Sequence, residues 1–139
     1  MKIEHLILAN NSSVDMETNL LSVFGFMEDF SIMTPKLPLL LPVQIIATLK
    51  RMDELEKINS IFQIKITNPV EQEIFTQEIK VVMEAQHVRQ RLRVNTHLPI
   101  SASGNYCVFL IEKNNPSLER IIEVKISVII NPNVDLSKS

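Results

Sequence analysis

Leu98-Pro99-Ile100-Ser101-Ala102-Ser103-Gly104-Asn105-Tyr106-Cys107-Val108-Phe109-Leu110-Ile111 is the stretch on which the reading of this chain turns. A proline, a glycine and a tyrosine stand ahead of an apolar run, the pattern of a corner that leads into a strand of an antiparallel β-sandwich. Tyr106 to Ile111 is apolar at both parities, as expected of a central strand covered on both faces. Asn114-Asn115-Pro116-Ser117 then supplies turn chemistry. Beyond it Ile122, Val124, Ile126, Val128 and Ile130 alternate with Glu123, Lys125, Ser127 and Ile129, the clearest period-two pattern in the chain. Gly104 is expected to serve backbone conformation, and Tyr106 to pack, with its hydroxyl tying down the corner. Cys107 is expected in the core.

Upstream of the corner, Arg89, Arg91 and Arg93 share one parity, while Val88, Leu92 and Val94 share the other, which predicts a strand with one basic face and one core face. Val70 to Arg93 pulls two ways. Its Glu, Gln and Met content favours helix, and Phe75, Ile79, Val82 and Met83 fall at helical spacing. Phe75, Ile79, Val81 and Met83 also lie on one parity, broken only by Gln77, and the expectation is a strand from about Glu73 to Val82. Phe62, Ile64 and Ile66 alternate with polar residues until Asn68-Pro69 ends the run. Arg51 to Lys57 reads as a charged connection with room for one helical turn, and Val43, Ile45, Ala47 and Leu49 as a half-buried strand.

Pro35 to Pro42 sets Leu37, Leu39, Leu40 and Leu41 among three prolines, and is expected to be extended without regular ladder hydrogen bonds. Its leucines either close one end of the core or form an exposed apolar ridge for a partner. Leu20 to Met27 carries Gly25 between two phenylalanines, which marks a bulge or a close backbone approach. Ile3 to Ala9 is apolar on both faces and reads as a buried strand, with Asn10-Asn11-Ser12-Ser13 as the turn that follows. Seven to nine strand-like runs with short connections predict an all-β sandwich. A single domain is expected over residues 1–133, with 134–139 as a disordered polar tail.

Ala9 at the end of the first run, the segment Leu20 to Gly25, the stretch Pro35 to Pro42, and the Pro99, Gly104, Tyr106 corner together resemble an uncharacterised family of small bacterial proteins that is known as a domain of unknown function. The resemblance covers nearly the whole chain. It implies an immunoglobulin-like sandwich and no activity.

The totals narrow the function classes. With 139 residues, 45% hydrophobic and 22% charged, the composition is that of an ordinary globular domain. A net charge of −2 gives no general attraction to nucleic acid or anionic membranes. The single cysteine, Cys107, cannot form an internal disulfide, which suits a reducing compartment. Glu4 and His5 interrupt the place where a secretory leader needs its apolar core, and no window is long and apolar enough to span a bilayer. A cytoplasmic location is expected.

Little in the sequence points to catalysis. His5, His87 and His97 are far apart, and no pair has the spacing of a metal motif. Cys107 with His97 would make a nucleophile and base only in an electropositive, partly exposed setting, whereas Cys107 stands in an apolar run. Gly25 and Gly104 are the only glycines, too few for a phosphate-cradling loop or a nucleophile elbow. No enzyme activity and no cofactor are expected. A hydrolytic or metal-dependent site built from scattered histidines and carboxylates is the distant alternative.

Two features remain as candidate binding sites. Leu37, Leu39, Leu40 and Leu41 offer an apolar ridge to another protein or to a second copy of the chain. Arg89, Arg91 and Arg93, about 6.5–7 Å apart along a strand, offer guanidinium groups to an anion or nucleic acid. On the alternative reading they form a solvated face that pairs with Glu71, Glu73, Glu78 or Glu84.

Overall fold

Alternation of apolar and polar side chains becomes nine strands. They are β1 (Lys2–Val14), β2 (Leu21–Met27), β3 (Asp29–Thr34), β4 (Leu39–Lys50), β5 (Ile58–Thr67), β6 (Glu73–Met83), β7 (Arg89–Ile100), β8 (Gly104–Glu112) and β9 (Glu119–Ile130). The computed structural model describes residues 1–133, so the expected disordered tail at 134–139 lies outside the described residues. Two sheets form, one ordered β2-β1-β4-β7 and the other β3-β9-β8-β5-β6. The chain is therefore an all-β, two-sheet structure. Its pairings are antiparallel except that β3 runs parallel to β9, a correction to the wholly antiparallel arrangement expected.

The core lies between the sheets and is built by every second residue. Leu6, Leu8, Ile45, Leu49, Leu92 and Leu98 enter it from the first sheet, and Phe62, Ile64, Ile66, Val108, Leu110 and Ile126 from the second. β8 is the middle strand of five, but only its inward face is buried, and Cys107, Phe109 and Ile111 on the outward face are half-buried, a correction to the strand expected to be covered on both faces. Cys107 corrects the expectation made for it: it shares the outward parity with Phe109, is only partly buried, and stands opposite Thr67 and Glu123. Tyr106 points inward, is fully buried, and its hydroxyl donates to the Ala102 carbonyl at 2.7 Å. Gly104 adopts φ +142°, and a Cβ there would lie 2.7 Å from the Pro69 ring.

Other departures have local causes. Asn10-Asn11-Ser12-Ser13 is strand, and the turn comes later, at Asp15–Asn19. The Asp15 carboxylate accepts the amides of Glu17 and Thr18 at 2.9 and 2.8 Å, and these bonds hold its pKa below the ordinary aspartate value. Leu39 to Pro42 does join a ladder: these residues form the first third of β4 and pair with Leu98–Ile100 and His97 of β7. Proline is tolerated there because β4 has no partner on its other side at this end, so the missing N–H breaks no second ladder. The Val70–Arg93 region resolves as strand at Glu73–Met83, with Val81 and Met83 buried and Phe75 and Ile79 packed on the core. Arg51 to Lys57 contains no helical turn.

Candidate functional site

β1 keeps company with two different strands along its length. From Lys2 to Ala9 it pairs with β4, and from Leu8 to Val14 with β2. Past Ala9 the β1–β2 hairpin leans over the outward face of the first sheet. Ser12 Oγ there donates to Gln44 Oε1 of β4 and accepts from Arg93 Nη1 of β7 at 3.3 Å, and the Asn19 carbonyl at the hairpin tip meets Arg91 Nη2 at 3.4 Å. Gly25 permits the close approach, with φ +65°; a Cβ there would lie 2.7 Å from Asn10 Cβ. Of the two readings offered for this glycine, close approach holds, because the β1–β2 register is unshifted on either side of it.

This departure leaves a strand position vacant. Residues Leu39–Val43 of β4 pair only with β7, because the β1–β4 ladder ends at Ala9 and Gln44. The vacated position is a cavity of about 640 Å³ lined by Asn10, Ile32, Met33, Leu39, Leu40, Leu41 and Pro42. A second cavity, of about 280 Å³, shares Asn10, Ile32 and Leu41 with it and continues the groove to Gly25, Phe26, Met27 and Phe30. Around the groove Leu40 is 63% exposed, Phe26 53% and Met33 48%, which is high for large apolar side chains. Both readings of the leucines meet here: Leu41 packs on the core, Leu40 points out, and Leu39 joins them in the wall. Leu37 is half-buried and does not line the groove.

The two sides of the sandwich differ in protection. β2 and β3 are the edge strands next to the groove; β2 carries no charged residue and β3 only Asp29. The opposite edges, β7 and β6, carry Arg89, Arg91, Arg93 and Pro99, and Glu73, Glu78 and Lys80. Charge is a usual guard of a sheet edge and here lies mostly on the far side, whereas beside the groove the guard is Pro42.

The arginines lie elsewhere, on the outward face of the first sheet. The expected partners Glu71, Glu73, Glu78 and Glu84, on β6 and its flanking turns, form no ion pair with the arginines among the described residues. Glu78 instead pairs with Lys113 at 2.7 Å, and Glu84 with Lys57 at 3.6 Å. Arg89 pairs with Glu4 of β1 at 3.1 Å, across the intervening β4. Glu4 reaches this face because β1 shifts register between Ile3 and His5. The Arg89 hydrogen bond holds the Glu4 carboxyl below the ordinary glutamate value, against an opposing effect of desolvation and with help from the nearby charges of Arg89 and Lys50.

Register places further cations beside the stripe. Lys2 stands opposite Lys50, and Lys50 opposite Arg89, so three cations form one row across three strands. In the next row His5, Thr48 and Arg91 are aligned. A cavity of about 370 Å³ opens there, lined by Asn19, Thr48, His87, Arg89, Gln90 and Arg91. Arg51, which the sequence did not single out, holds the backbone of its lining residue His87: Nε donates to the His87 carbonyl at 2.9 Å, Nη1 to those of Glu54 and Glu56, and Nη2 to that of Glu84 at 2.7 Å. One guanidinium thereby joins the two loops at this end.

Among the described residues no group of three His, Cys, Asp or Glu side chains is arranged to hold a metal ion, and no helix is long and apolar enough to cross a membrane. No protein-family model matches the chain, and no curated protein sequence is similar to it.

Proposed function

We propose that this protein is a non-enzymatic binding module that takes an extended apolar segment of another polypeptide into the groove beside Leu39–Val43. The observation that carries this reading is the vacant strand position. β4 offers backbone acceptors, and donors except at Pro42, on a side where it has no ladder partner, with apolar walls from Ile32, Met33, Leu39 and Leu41. Strand addition uses these two elements, main-chain hydrogen bonds for affinity and pockets for alternate side chains for specificity. The neighbouring edges β2 and β3, almost free of charge, impose no electrostatic cost on an incoming apolar strand.

We read the scaffold as immunoglobulin-like. The order β1-β4-β7 corresponds to strands A, B and E of that fold, and β6-β5-β8-β9 to C′, C, F and G, with the β1–β2 hairpin as an addition. Tyr106 supports this, standing near the start of the F-like strand with its hydroxyl bonded to the backbone four residues upstream.

Selection of a displayed random-peptide library tests the binding reading. Peptides with alternating apolar residues should be enriched by the wild-type protein and lost on Leu40→Asp, an exposed position where the substitution should leave the fold intact, as an unchanged unfolding midpoint would verify. A selection that yields no peptide sensitive to Leu40→Asp contradicts the proposal. A concentration-dependent dimer abolished by Leu40→Asp would identify the occupant as a second copy of the chain.

A further inference from the structure

From the first sheet's outward face we infer a second site, independent of the groove, that binds a small phosphorylated ligand at the Lys2–Lys50–Arg89 row and the adjoining cavity. Like charges directly opposite one another across strands are unfavourable, and here two such pairs share Lys50. A protein with net charge −2 has acidic residues to spare for such positions, yet Lys2, Lys50, Arg89, Arg91 and Arg93 share this face with Glu4 as the one carboxylate paired to it among the described residues. A local rule broken without a gain in stability marks a place selected for something else, and an anion is what would relieve it.

The donors available fit phosphate. Arg89 gives its Nε to Glu4, and among the described residues its two terminal nitrogens have no acceptor. Arg91 has a single long contact, to the Asn19 carbonyl. Two such forks, with Thr48 opposite Arg91 in the lining of the same cavity, are the groups that bind phosphate oxygens in bidentate fashion. Glu4 orients Arg89 much as an outer carboxylate orients a ligating side chain, and the hairpin-tip acid Asp15 is already engaged by the amides of its own turn. Arg51, through its bond to the His87 carbonyl, holds the His87 backbone at the rim.

Size and lining select the ligand class. About 370 Å³ is at the small end of ligand cavities, suited to a compact phosphate ester or polyphosphate. No phenylalanine or tyrosine lines the cavity, and its one ring is the His87 imidazole, so successive nucleobases of a single strand have no run of platforms to stack on.

Calorimetric titration with inorganic tripolyphosphate at about 0.15 M NaCl tests the inference. A Kd below about 1 mM is expected. Arg91→Gln and Lys50→Gln should each weaken binding about tenfold, the worth of one charge-assisted contact. Arg120→Gln, an exposed arginine on the other sheet, should leave it unchanged. Absence of binding overturns the inference, as does equal loss in Arg120→Gln or no loss in the first two variants. Tighter binding of a single-stranded oligonucleotide, with a steep salt dependence, would also overturn it in favour of a nucleic-acid surface.

Discussion

Ala9 of β1 faces Gln44 of β4 in the last pair those two strands make, and both side chains are buried although both point away from the core. The hairpin that leaves β4 at this point folds back over them, with Ser12 bonded to Gln44, and Gln44 Nε2 in turn donates to Asn95 of β7 at 2.9 Å. One bend therefore covers the outer face of the first sheet and opens the groove beside Leu39–Val43.

That bend depends on Gly25. Gly25→Ala places a Cβ 2.7 Å from Asn10 Cβ on a backbone at φ +65°. The expected cost is about 1–3 kcal/mol, from strain at a left-handed position and displacement of the hairpin. Denaturant unfolding should show a lower midpoint with an unchanged slope, and an unchanged midpoint would mean that the approach is not needed.

Tyr106 is the sole tyrosine in a chain without tryptophan, so its ionisation can be followed alone by ultraviolet absorbance. Burial pushes its phenol above the ordinary value of about 10, with the hydrogen bonds at the corner opposing in part. A raised folded pKa gives stability that is fully present below the unfolded pKa and lost as pH rises through the folded one. The tyrosinate signal should therefore lag behind that of a model phenol and arrive together with unfolding. Tyr106→Phe should cost about 1 kcal/mol, one net hydrogen bond.

Lys50 stands between Lys2 and Arg89. Lys50→Gln should raise stability by about 0.2–1 kcal/mol at low ionic strength. The gain should shrink in about 1 M salt, where exposed charges are screened within a few ångströms. A variant that is less stable at both salt concentrations would show that the row is compensated in the native protein.

Arg51 ties the β4–β5 loop to the end of β6 and the β6–β7 loop through five carbonyls. Arg51→Met keeps most of the side-chain volume and leaves those oxygens without their donor. A loss of about 2 kcal/mol is expected, with faster amide exchange at His87 and Val88 than elsewhere. Uniform exchange changes would assign the residue a packing role only.

The fold was legible where one strand's own alternation decides it. Phe62, Ile64 and Ile66, and Ile122 to Val128, announce their inward faces without help, whereas Ile130 at the end of the same alternation is exposed. Residues 73–83 were harder, because Glu, Gln and Met favour helix, and the pairing of Ile58–Thr67 with this segment overrides that preference. Asn10 to Ser13 carried turn chemistry, yet Ser12 finds partners on β4 and β7 that no local pattern shows. β3 escaped notice because its six residues become a strand through parallel pairing with distant β9. Phe30 and Ile32, alternating with Ser31, were the signal available. For the same reason Leu39 to Leu41 and the three arginines could be singled out, while their surroundings could not. Asn10, Met33, Lys2, Lys50 and Glu4 arrive by register between strands, and a single sequence does not carry register.

Amide hydrogen exchange at Leu39, Leu40, Leu41 and Val43, with and without a saturating peptide from the library selection, tests strand addition most directly. The account predicts that the amides in this set not engaged by β7 slow by about tenfold or more on binding, while those of Arg89 to Arg93 stay unchanged. Unchanged exchange at Leu39–Val43, or slowing confined to the β6 edge, would contradict it.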